Sequence, residues 1–71
     1  MMKTIQIKDE YIQLGQAMKL SGLCDSGAEA KSLILEEKVK VNGEICVMRG
    51  KKLYPGDVFT YSSETVQVCA L

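Results

Sequence analysis

The chain has 71 residues, 46 % of them hydrophobic and 25 % charged, with nine basic and nine acidic side chains and no net charge. A chain of this size buries only about 60 % of the surface it exposes when unfolded, so one small domain over residues 1–71 is expected and a second core is excluded. No apolar run approaches the roughly 20 residues needed to cross a bilayer. Lys3, Lys8, Asp9 and Glu10 surround the early apolar residues Ile5 and Ile7, unlike a secretory leader, so a cytoplasmic location without a membrane partner is expected.

Histidine is absent, which removes the commonest general base, the usual partner of a nucleophilic Ser or Cys, and the commonest zinc ligand. Cys24, Cys46 and Cys69 are widely spaced and form no Cys-x-x-Cys pair, so neither a disulfide framework nor a thiolate zinc site is indicated. The scattered carboxylates have no metal-loop spacing. A non-enzymatic protein with neither metal nor cofactor is the expectation.

Thr4–Lys8 alternates apolar with polar residues, the mark of a short strand with one covered face. From about Ile12 the interval changes to that of a helix, with Leu14, Ala17 and Met18 on one side and Gln13, Gln16 and Lys19 on the other; Gly22 is a natural stop. Ser26 followed by Glu29 has capping-box spacing and predicts a second helix with Ala30, Leu33 and Ile34 as its apolar stripe, ending near Glu37 without a glycine cap. Val39–Ile45 alternates on both sides of Asn42-Gly43, the strongest short-range hairpin signal. Tyr54-Pro55-Gly56-Asp57 reads as a turn. Val58–Tyr61 and Thr65–Val68 are strand-like and are joined by Ser62-Ser63-Glu64, which suits a second hairpin. The order predicts an α+β domain in which two N-terminal helices pack on a small antiparallel sheet.

The ordered run of a helix, Gly22-Leu23, Ser26, Ala30 with Leu33-Ile34, Val39-x-Val41-Asn42-Gly43 and Pro55-Gly56-Asp57 resembles the RNA-binding domain of ribosomal protein S-four, the αL motif. Leu14-Gly15-Gln16, Asp25-Ser26-Gly27, Ala30-Lys31, Val39–Glu44 and Arg49-Gly50-Lys51-Lys52-Leu53 further resemble the small stand-alone bacterial proteins of the YaaA/YbcJ type. Gln13, Gly15 and Gly27 depart from the wider family's arginine, aspartate and arginine, and Met48 from the stand-alone group's arginine. The resemblance implies binding of structured RNA, ribosomal RNA or ribosomal particles in particular, and a role in ribosome assembly.

The charge distribution gives this implication a physical basis. Residues 38–52 hold five cations against Glu44 alone, a net of +4, while both flanking stretches are acidic. At physiological salt such a segment attracts phosphate within about 8 Å. Arg49-Gly50-Lys51-Lys52 presents three cations around a glycine that permits close approach, though a solvated loop has the same composition. Ser26-Gly27 opens a helix whose free amides suit an anion, or serves only as a cap. Lys31 and Lys40 complete the candidate RNA contacts, with Lys40 alternating away from the core and Lys31 expected beside the Arg49 loop. No aromatic residue is interleaved between Lys31 and Lys52, which favours shape-based recognition of folded RNA over base stacking. Zero net charge and the altered positions Gln13, Gly15 and Gly27 leave an alternative, a protein-interaction adaptor that keeps the fold.

Overall fold

The computed structural model describes residues 2–71. In chain order the elements are β1 (Met2–Ile7), β2 (Ile12–Gln13), α1 (Leu14–Leu20), α2 (Gly27–Leu35), β3 (Val39–Val41), β4 (Glu44–Ile45), β5 (Lys52–Leu53), β6 (Val58–Tyr61) and β7 (Glu64–Ala70). Five strands form one sheet in the order β1-β7-β6-β3-β4, and β2 pairs with β5 in a separate two-stranded ribbon.

Two features correct the expected architecture. The helices are not both N-terminal, because a full strand precedes them, and the sheet is mixed: β1 runs parallel to β7, from Met2 opposite Thr65 to Ile7 opposite Ala70. Alternation in β1 announces a covered face but carries no information on its neighbour or direction, and that neighbour lies at the other end of the chain. The remaining pairings are antiparallel.

One core holds the layers together. Ile5, Val39, Val41, Phe59, Val66 and Val68 face Leu14, Ala17 and Met18 of α1 and Ala30 and Ile34 of α2, all buried. The sheet therefore has an inner, helix-covered face and an outer one.

The turns follow from the residues that tolerate positive φ. Lys40 opposite Ile45 and Val41 opposite Glu44 leave Asn42 and Gly43 as the hairpin loop, at φ 51° and 88°. Tyr61 opposite Glu64 makes Ser62-Ser63 the second loop, so Glu64 belongs to β7 rather than to the link. At the end of α1, Gly22 takes φ 83° while its amide and that of Leu23 donate back to Lys19 and Met18, a Schellman closure. Helix α2 closes in the same way without glycine, Glu37 adopting φ 62° as its amide and that of Lys38 reach Ile34 and Leu33.

Candidate nucleic-acid interface

The segment after β4 is positioned by the start of α1. Gln13, the residue before that helix, offers no side-chain cap. Two of the amides that lack helical acceptors are satisfied from the basic loop instead, Leu14 donating to the Lys51 carbonyl at 2.9 Å and Gly15 to the Arg49 carbonyl at 3.1 Å. The Arg49–Lys52 loop is thus hydrogen-bonded backbone to backbone, while its cationic ends stay exposed.

Arg49 consequently borders a depression with Gln13, Gly15, Gln16 and Lys19 of the α1 region and Gly27 of α2. Arg49 and Gly27, at the α2 start, are brought together, while Lys31, one helical turn beyond Gly27 on the same side of α2, does not line this depression. Lys19 joins them unannounced. Its solvent-side position is legible from the helical interval, but its proximity to a loop some thirty residues away in the chain is a product of packing.

At the α2 start, Ser26 Oγ accepts from the Glu29 amide at 3.2 Å, and the Ser26 carbonyl accepts from Ala30. The reciprocal bond from the Glu29 side chain is not made among the described residues, so half of the expected capping box is present. Asp25 and Glu29 lie close by in the chain and oppose an incoming anion, which leaves most of the attraction to Arg49 and Lys19.

The other candidates point elsewhere. Lys40 stands between buried Val39 and Val41, which places it on the outer face of the sheet, opposite Ile45 and Thr60 and away from the helices. Lys51 lines a second depression with Ile45, Cys46, Val47 and Met48. Lys52 lies on the ribbon, its ammonium 4.8 Å from the centroid of the Tyr11 ring. Lys38 is engaged by Glu36 at 3.2 Å, with both side chains about half exposed. That bond, together with one from Ser32, holds the Glu36 carboxyl below its ordinary range. Lys3 is used structurally, donating to the Ser21 carbonyl at 3.1 Å just past the end of α1.

Asn42 does more than supply a turn conformation. Its side-chain carbonyl accepts from the Val58 amide at 3.1 Å and its amide donates to Asp57 at 3.4 Å, while Asp57 accepts from the Tyr54 amide at 2.8 Å. The Asn-Gly and Pro-Gly-Asp segments are therefore one interlocked structural unit. Burial pushes the Cys24 thiol up, aided by Glu29 and Asp25, consistent with a packing role.

Residues 5–69 match the model of a family described as the S4 domain. Over 58 residues, covering 82 % of each chain, the protein is 47 % identical to "Probable ribosome maturation protein RlbA" of Bacillus subtilis (strain 168). Over 63 residues, 89 % of this chain and 90 % of the relative, it is 35 % identical to "Putative RNA-binding protein YbcJ" of Escherichia coli (strain K12). With nearly the whole chain matched and the helix-and-hairpin geometry in place, the protein belongs to the S4 domain family.

Proposed function

We propose that the protein is a single non-catalytic RNA-binding module that grips the backbone of a structured RNA, ribosomal RNA in the first instance, and acts in the cytoplasm in ribosome maturation. The family membership and the names of its relatives support this reading. The observation that carries it is the pinning of the Arg49–Lys52 loop on the α1 start, which sets Arg49 beside Lys19 and the opening of α2. Arg49 supplies a planar fork for phosphate, Lys19, Lys31, Lys51 and Lys52 supply point charges, and the amides at Ser26-Gly27 supply fixed dipoles. Lys40, on the outer face, adds only longer-range attraction.

Binding through about three to five phosphates gives a slope of log affinity against log salt near −2 to −4. Replacing Arg49, Lys51 and Lys52 together by Ala is expected to weaken binding to all RNA sequences alike and to flatten that slope. Unchanged binding by the folded triple variant would overturn the assignment. A second reading, the protein-interaction adaptor, is favoured by the exposed apolar side chains of Ile45, Val47 and Met48. Partners that remain bound after ribonuclease treatment would support it.

A further inference from the structure

The ribbon of β2 and β5 places two aromatic rings that are far apart in the sequence against one another. Ile12 pairs with Leu53 and Gln13 with Lys52, so one step further along the same antiparallel register Tyr11 comes opposite Tyr54. Ile12 and Leu53 turn inward towards the core, and strand alternation sends Tyr11, Gln13, Lys52 and Tyr54 to the other side. The two rings meet with centroids 5.9 Å apart and planes inclined by 49°. Lys52 stands over Tyr11, whereas Tyr54 is 45 % exposed. The Tyr54 backbone is fixed by its hydrogen bond to Asp57, which is itself tied to Asn42.

This aromatic cluster is continuous with the phosphate-binding side. A depression lined by Asp9, Tyr11, Gln13 and Gln16 adjoins the one that contains Arg49 and Lys19, and the two share Gln13 and Gln16. The resulting groove is polarised. Its Arg49 end is cationic, while its Tyr11 end combines aromatic carbon with the Asp9 carboxylate, which accepts from the N–H groups of a base, and with Lys52 above the Tyr11 ring. A base has a π-face for stacking and needs no charge partner.

We infer that Tyr54, buttressed by Tyr11 and with Lys52 alongside, is a stacking platform for one unpaired nucleotide of the RNA whose backbone lies along the Arg49 end of the groove. The inference rests on the RNA-binding reading and deepens it: the preferred target is a duplex from which a nucleotide is bulged or a strand departs, rather than a continuous duplex. Tyr54 holds the base, Tyr11 holds Tyr54 and Lys52 in place, and Lys52 takes the phosphate of the same nucleotide.

The test compares a blunt RNA duplex with the same duplex carrying one bulged 2-aminopurine, whose fluorescence falls when it stacks. The intact protein is expected to bind the bulged RNA about tenfold more tightly, with quenching, in keeping with aromatic stacking elsewhere. Tyr54→Leu, which keeps an apolar side chain at an exposed site, should abolish both the preference and the quenching while leaving blunt-duplex affinity unchanged. Arg49→Ala should weaken both RNAs alike and retain the preference. Equal binding of the two RNAs by the intact protein, or a preference that survives Tyr54→Leu, overturns the platform and leaves backbone binding standing; failure to bind either RNA at low salt overturns both.

Discussion

Gly15 donates its amide to the Arg49 carbonyl at 3.1 Å, and a Cβ placed at Gly15 would lie 2.7 Å from Arg49 Cγ. The absence of a side chain at this helix start is therefore what allows the Arg49 stem to lie against α1. Gly15→Ala has two opposed effects: it favours the helix by up to about 1 kcal/mol and forces the exposed Arg49 side chain to swing away. Stability in a urea titration is expected to change by less than about 1 kcal/mol. Affinity for RNA should fall several-fold, since Arg49 leaves the Gly27 side of the groove. A variant that binds as tightly as the parent would show that the position of Arg49 is unimportant.

Asn42 combines a left-handed backbone with two cross-turn hydrogen bonds, and a pair of variants separates these contributions. Asn42→Gly keeps the conformation and loses the side-chain bonds, for a cost of about 1 kcal/mol. Asn42→Ala loses the bonds and also strains the φ of 51°, adding about 1 kcal/mol more. Denaturant midpoints of the three proteins should fall in the order Asn, Gly, Ala.

Glu37 occupies the left-handed position that closes α2, where a side chain is disfavoured. Glu37→Gly relieves that strain at the expense of a more flexible unfolded chain, and a net gain of about 0.5 kcal/mol is expected. Because Glu37 is exposed and makes no side-chain hydrogen bond among the described residues, a loss of thermal stability would contradict this account of the helix end.

The Glu36 carboxyl is held below its usual range by hydrogen bonds from Lys38 and Ser32. A depressed folded-state pKa means that the associated stabilisation is complete above the ordinary carboxylate pKa and is lost as pH falls through the lower folded-state value. Both partners are exposed, so the contribution is small and screened by salt. A carbon-detected NMR titration should place Glu36 below the ordinary glutamate value, and Lys38→Ala should raise it towards that value.

The local signals in the chain were sufficient for much of the fold. Ser26, Gly22, Asn42-Gly43 and Pro55-Gly56 mark where the chain must turn or begin a helix, because each meets a backbone requirement that its own chemistry satisfies. Alternation in Thr4–Lys8 and Val39–Val41 likewise identifies the covered face of each strand. Pairing was beyond these signals: β1 beside β7, or Ile12 beside Leu53, is selected by burial of a shared core, and a two-residue strand is too short to show any period. The same distinction applies to the site. The basic character of Arg49, Lys51 and Lys52 is a property of the sequence, as is the resemblance that connects it with RNA. The alternation of Val39–Val41 likewise gives Lys40 its outward direction. Only the tertiary structure set Lys19 beside Arg49 and joined Tyr11 to Tyr54, since residues distant in the chain meet only where packing of their elements on a shared core brings them together.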